Sequence, residues 1–253
     1  MSPSHPTELR GHAEKLIRGR RATRAFRPDP VPEETLRAVF ALAGAAPSSS
    51  NTQPWQVEVV SGSLRDRLAD ALQAAHAEQR TTVDFPYRED MYSIAQQRRR
   101  AAFGTALYGA LGIGRNDHAA RAAFDAESLR FYGAPHVAFL FTAGDAGDAG
   151  DAGDAGDAGD AGDAGDAGDA GARLAADVGI YAQTLLLAMT AYGLDSCPQG
   201  LLSFYADTVR SELGLDRGKL LVGISFGYAD ESAPVNHITT DRAALDATTT
   251  FRC

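Results

Sequence analysis

The stretch Asp177–Gly200, DVGIYAQTLLLAMTAYGLDSCPQG, decides how this chain has to be organised. Leu174, Val178, Tyr181, Leu185, Met189 and Tyr192 fall at helical spacing, and Ile180, Leu186, Leu187 and Ala188 between them are apolar as well. A helix that is apolar nearly all round belongs at a core or an interface. Its most apolar run, Leu185 to Ala191, is far too short for a bilayer, which takes about 20 residues. Cys197-Pro198-Gln199-Gly200 then reads as a turn entering a helix, where unpaired backbone N–H groups can meet an acceptor.

Beyond this stretch the periodicity predicts a helix over 204–213 and an apolar strand over 220–226. Gly223-Ile224-Ser225-Phe226-Gly227 matches a hydrolase nucleophile pattern, but it lies inside that strand with no helix behind it, so Ser225 is read as a strand residue. Towards the N-terminus, His136–Thr142 (HVAFLFT) is a second apolar strand and Gln56–Val60 a third, with Val57 and Val59 on one face. Helices are predicted over 7–19, after Pro32 at a first helical position (burying Leu36, Val39, Phe40 and Ala43), around Leu64, Leu68, Leu72 and Ala75, over 91–111 and over 117–130. Gly109, Gly112 and Gly114 follow a helix rather than a strand, which excludes a dinucleotide-binding loop. The pattern is α+β, helices mixed with a few strands and no regular βαβ alternation.

The chain has 253 residues and a formal charge of −9. From Gly144 to Ala170 it repeats Gly-Asp-Ala nine times; the repeat takes nine of the 33 acidic residues and leaves 24, equal to the 24 Lys and Arg. The body is therefore electrically balanced, and its charge points to neither nucleic acid nor an acidic surface function. With no proline to stiffen it and no apolar anchor, the repeat reads as a flexible insertion at 144–171 in a single domain spanning 1–253. Closing a loop of that length in place of a short one costs only about 1.3 kcal/mol. Two cysteines and six scattered histidines suggest neither a disulfide framework nor a metal site. The N-terminus has no apolar leader core, and a cytoplasmic protein is expected.

Polar chemistry collects in four places. RRATRAF (20–26) sets Arg20, Arg21 and Arg24 close together, which a solvated helix end would also explain. PSSSNTQPW (47–55) offers Ser48, Ser49, Asn51 and Gln53, with the single tryptophan Trp55 as an apolar anchor; ordinary turn chemistry is the alternative. The CPQG turn is the third, and Thr239-Thr240-Asp241-Arg242 in the irregular tail is the fourth. Arg98-Arg99-Arg100 reads as a solvated helix face, with ion pairs as the alternative.

Taken in order, RRATRAF, APSSSNTQPW, DVGIYAQTLLLAMTAYGLDSCPQG, NHITTDRAALDATTTF and RRRAAFGTALYGALGIGRNDHAARAAF with FYGAP resemble one family, the FMN-dependent nitroreductases, in its nitrobenzoate-reductase-like branch. The resemblance spans nearly the whole chain apart from the first residues and the repeat. It implies a central, mostly antiparallel sheet surrounded by helices in an intertwined homodimer, with the helix over 174–192 at the dimer centre. It implies FMN as cofactor and NAD(P)H as co-substrate: a hydride passes through flavin N5 to a nitroaromatic or quinone-type acceptor in a ping-pong cycle. Arg20 and Arg21 would bind the phosphate and ribityl chain. Arg24 would stand near N1 and the C2 carbonyl as an electrostatic stabiliser of reduced flavin. Arg242 would close on the phosphate. Pro198, Gln199 and Gly200 would lie at the flavin ring. Pro47, Ser48, Ser49, Asn51 and Gln53 would serve the other subunit's FMN. Ala22 stands where the family commonly has serine, so Thr23 would supply that contact, and Ser128 stands where the branch often has asparagine. No protein acid, base or nucleophile is required. Two other readings remain: an FMN-dependent oxidase or dehydrogenase of a peptide or amino-acid derivative, and a non-catalytic flavin-binding or interaction protein.

Overall fold

His136–Thr142 is buried at every residue, and the rest of the molecule is arranged around it. In the computed structural model, which describes residues 6–143 and 167–252, this strand is β2 of a four-stranded sheet ordered β1-β2-β4-β3. Its partners are β1 (Trp55–Ser61), β4 (Lys219–Gly227) and β3 (Asp195–Gln199), and every pairing is antiparallel. Alternate side chains of β2 point to opposite faces, and each face carries its own core. Val137, Phe139 and Phe141 meet α3 (Gly62–Ala77), α5 (His118–Leu129) and α7 (Ala206–Leu213) through Leu68, Leu72, Leu129 and Val209. Ala138 and Leu140, with Ile224 and Phe226 of β4, meet α2 (Glu33–Ala43) and α6 (Ala167–Ala191) through Val39, Val178, Tyr181, Leu185 and Met189. The expected α+β class and antiparallel sheet are what the chain forms.

Several local expectations need correction. Cys197–Gln199 belongs to strand β3, with Gly200–Phe204 as a 3₁₀ turn behind it, rather than to a turn opening a helix. Pro198 concealed the strand; it is tolerated because β3 is an edge, where a missing N–H costs no inner ladder bond. Pro32 precedes the first helical residue of α2 instead of occupying it. On β1, Val57 packs with the α6 side, Val60 is buried with the α3 side and Val59 stays 41% exposed, so the strand serves both faces. The helices α1 (Pro6–Gly19) and α4 (Ile94–Ala110) occur about where periodicity placed them, although Leu107 is the one buried residue of α4.

The expected flexible insertion at 144–171 lies, up to residue 166, outside the described residues; from Ala167 the backbone is already α6. Over Gly171–Ala191, 21 residues with a mean hydropathy of 1.4, α6 is long and apolar enough to cross a membrane by length and composition, more than the run Leu185–Ala191 suggested. Its inner side chains are packed on the sheet, as in a core helix, while Ile180 is 43% exposed and Tyr192, just past the end of the helix, 46%.

His136 couples this core to pH. The Val31 N–H donates to its Nε2 at 3.0 Å, so the ring proton sits on Nδ1, 2.5 Å from Ser61 Oγ. Burial holds this imidazole below its ordinary value of 6.5. The neutral form is therefore built into the fold, and below pH 6.5 the unfolded chain binds the extra proton first. Stability from this site is fully present above pH 6.5 and declines as pH falls from there to the lowered folded value. Thermal unfolding of wild type and His136→Gln between pH 7.5 and pH 5 should show a steeper decline for the wild type (pH values are set about one unit either side of the ordinary histidine pKa). Parallel curves would remove His136 from the account.

Candidate functional site

The segment Arg20–Arg27 leaves α1 and threads between the sheet edge and the C-terminal tail. Thr23 N–H donates to Ser196 O of β3 (3.0 Å), Phe26 N–H to Tyr132 O (3.1 Å) and Arg27 N–H to Tyr228 O (2.9 Å). Asn236 clamps the middle: its Oδ1 accepts from Arg24 N–H at 2.7 Å, and its Nδ2 donates to Ala25 O and Asp230 O at 2.8 and 2.9 Å. Because Thr23 and Phe26 turn inward and are buried, Arg20, Arg21 and Arg24 are left on the outer side.

The arginines have different surroundings. Arg21 pairs with Glu231 at 3.4 Å on the exposed surface, a contact worth little. Arg24 donates to Ala22 O at 3.4 Å and lies 5.1 Å from the Phe103 ring centroid of α4. Among the described residues Arg20 makes no side-chain hydrogen bond or ion pair; burial holds its guanidinium below its ordinary range, and the positive charge of Arg242 adds to this. Arg242 is held at its own backbone, Nη1 donating to Thr240 O and Oγ1 at 2.9 and 2.8 Å and to Asp241 O at 3.3 Å. Arg20 and Arg242 are thus within electrostatic reach of each other, and among the described residues neither is ion-paired to a carboxylate, an arrangement suited to an anion.

Beneath them lies β3. Burial pushes the Cys197 thiol up to about 11 against the pull of Arg24 and Arg20, so it stays protonated and unreactive. Burial raises the Tyr132 phenol as well, Cys197 adds to the rise, and Arg24 opposes it. Pro198 and Gly200 are exposed. The Gln199 side chain is engaged inside, donating to Ser128 O at 2.7 Å and accepting from Ser225 Oγ, so what Gln199 can offer the surface is backbone. Ser128 is buried, its hydroxyl on Asp125 O at 2.6 Å. Thr23 is fully buried with its hydroxyl 3.4 Å from Asp195 Oδ1, and so is not presented where Ala22 would leave a contact missing.

The loop from Pro47 to Gln53 is a separate construction. Ser50, Asn51 and Gln53 adopt left-handed backbone (φ 49°, 59° and 48°), strain that other contacts must hold. Asp177 does so from α6, both carboxylate oxygens accepting Ser49 N–H at 3.2 and 3.1 Å, and Ser48 Oγ accepts Gln53 N–H at 2.9 Å. One turn along α6, Tyr181 stacks on Trp55 with centroids 4.9 Å apart, the anchoring expected of that tryptophan. Pro47, Ser49, Asn51 and Gln53 are exposed. Among the described residues no hydrogen bond or ring contact joins this loop to the arginine segment.

Sequence inspection missed Asn236, Phe103 and Asp177. Phe103 had a usable signal, since Arg99, Phe103 and Ala106 share one face of α4 at helical spacing, and all three line a cleft of about 390 Å³ with Thr239–Ala243. Asn236 and Asp177 act through partners far away in the chain, which leaves no local pattern. Of the arginine triplet, Arg100 is paired, 3.7 Å from Glu89 and 3.2 Å from the Tyr87 hydroxyl, whereas Arg98 and Arg99 form no ion pair among the described residues.

With this fold and arrangement, the chain belongs to the nitroreductase family, whose model matches residues 17–228. It is 58% identical to nitroreductase NfnB of Mycolicibacterium smegmatis over 250 residues, 98% of this chain and 97% of the relative. The crystal structure of the FMN-dependent NfnB from Mycobacterium smegmatis in complex with NADPH superposes with a TM-score of 0.84 at 58% identity, covering 97% of this chain and all (100%) of that one. A 4-nitrobenzoate reductase from a Nocardioides strain is 31% identical, covering 94% of this chain and 89% of its own.

Proposed function

We propose that this chain is an FMN-dependent oxidoreductase that uses NAD(P)H to reduce nitroaromatic or quinone-type acceptors, working as a cytoplasmic homodimer. The observation that carries it is the pair Arg20 and Arg242, cations within electrostatic reach of each other and without a carboxylate partner among the described residues, beside Arg24 and the exposed edge of β3. That donor set suits a phosphate dianion next to a flat ring system.

Arg20 and Arg242 hold the FMN phosphate, and Arg24 lies towards the pyrimidine end of the ring. The bound flavin supplies hydride acceptance from NAD(P)H and electron delivery to the acceptor. Arg24 places positive charge where negative charge develops on reduction, without needing to reorganise. Pro198, Gly200 and the Gln199 backbone form the wall along the ring, while the Gln199 side chain secures that wall from inside through Ser128 and Ser225. Arg21 can join only by leaving Glu231, and Thr23 acts as a support for Asp195. The loop Pro47–Gln53, held out by Asp177 and Trp55, serves the flavin of the second subunit. The exposed face of α6 around Ile180 packs at the subunit interface.

The test is the visible spectrum of the purified protein before and after anaerobic NADPH. A flavin spectrum that bleaches is the expected result. Flavin that resists both NADPH and NADH would favour a dehydrogenase of another substrate, and a colourless protein that FMN cannot reconstitute would remove the flavin reading altogether.

A further inference from the structure

Arg99 has no role in the flavin site as described so far, yet it lines the same 390 Å³ cleft as Arg242. The cleft runs between α4, which contributes Arg99, Ala102, Phe103 and Ala106, and the tail Thr239–Ala243. Among the described residues Arg99 makes no side-chain hydrogen bond or ion pair, unlike its neighbour Arg100, which Glu89 and Tyr87 engage. Across the cleft, Arg242 uses Nη1 on Thr240 and Asp241, which orients the guanidinium and leaves Nε and Nη2 without partners among the described residues. Asp241 is the single carboxylate among the described lining residues, and the Arg20 charge is within electrostatic reach of Arg242. The lining is therefore net cationic, with donors free on both walls. Phe103 links the cleft to the arginine segment, because the Arg24 guanidinium lies over its ring at 5.1 Å.

We infer that Arg99 and Arg242 form a two-sided clamp for a phosphomonoester dianion, one cation presented by α4 and one by the tail. This rests on the flavin reading above. Two ligands of such an enzyme carry that chemistry: the flavin, through its ribityl 5′-phosphate, and NADPH, through its ribose 2′-phosphate. In either case Arg99 makes the site read a terminal phosphate, which riboflavin and NADH lack. A guanidinium is suited to this because its fork donates two parallel bonds to one phosphate.

The experiment compares wild type, Arg99→Ala, Arg99→Lys and Arg98→Ala as full-length proteins. Dissociation constants for FMN and riboflavin are read by flavin fluorescence, and KM for NADPH and NADH by steady-state rates. Arg99→Ala should lose about tenfold or more on the phosphorylated member of one pair while the other member stays put, the scale of one charge-assisted contact. Arg99→Lys should recover part of the loss and Arg98→Ala should behave as wild type. Loss confined to FMN identifies the flavin phosphate as the occupant, and loss confined to NADPH identifies the dinucleotide. Unchanged constants in Arg99→Ala, or equal losses within each pair, would overturn the clamp while leaving the flavin reading intact. A wild type that binds no flavin would overturn both.

Discussion

Replacing Arg20 by alanine is expected to weaken FMN binding on the order of 100-fold, while riboflavin binding changes by no more than about threefold. Arg20 is half-buried within electrostatic reach of Arg242 and has no acidic partner among the described residues, so its charge is held where burial and a like charge both oppose it. A phosphate dianion relieves both costs at once, which makes this contact stronger than an exposed pair. Arg21→Ala provides the contrast. Its side chain is 44% exposed and already engaged with Glu231, so its loss should change FMN affinity by about fivefold at most. Fluorescence titration of the flavin-stripped variants decides the matter. Equal losses for Arg20→Ala and Arg21→Ala would mean that the structure's distinction between them is wrong.

The largest effect on stability is expected at Asp84. Its carboxylate accepts from Arg210 Nη1 at 2.6 Å and Nη2 at 3.1 Å, and from the Leu220 backbone N–H at 2.7 Å, where the pair's side chains are only 17% and 14% exposed. Arg210 also reaches Gly218 O at 3.0 Å and Asp207 at 2.5 Å, so the cluster ties the segment before α4 to α7 and to the start of β4. Asp84→Ala leaves a largely buried guanidinium short of its main partner and a strand N–H without an acceptor. Removing one member of such a pair costs about 3 kcal/mol or more. For a chain of this size that is a fall in midpoint of roughly 6–12 °C. Glu33→Ala, which breaks the exposed Glu33–Arg37 pair on α2, should shift the midpoint by only about 1 °C. Thermal unfolding of both variants in one buffer tests this, and comparable shifts would show that burial does not separate the two pairs.

Much of the fold could be read from local pattern. Leu68, Leu72 and Ala75 at helical spacing are the buried face of α3, and HVAFLFT is buried along its length as β2. Strand β3 could not be read this way. DSCPQ has no alternation and contains a proline, and it is extended because β4 offers it a ladder on one side and Ala22 bridges to Ser196 on the other. The choice was made by pairing between residues distant in sequence, which no short window contains.

The site divides along the same line. The sequence alone determined which side chains could serve an anion and a flat cofactor: a cluster of arginines, a polar loop ahead of a tryptophan, a proline-containing turn and an arginine in the tail. Only the tertiary structure decided which of them are available. Arg20 is half-buried within electrostatic reach of Arg242, Arg21 is taken by Glu231, Thr23 is buried against Asp195, and Gln199 turns its side chain into the core. The four residues fall within one or two short motifs and look alike in a string of letters. Their difference is set by what packs against each from elsewhere in the chain, because burial and a neighbour's charge determine whether a polar group is free to bind.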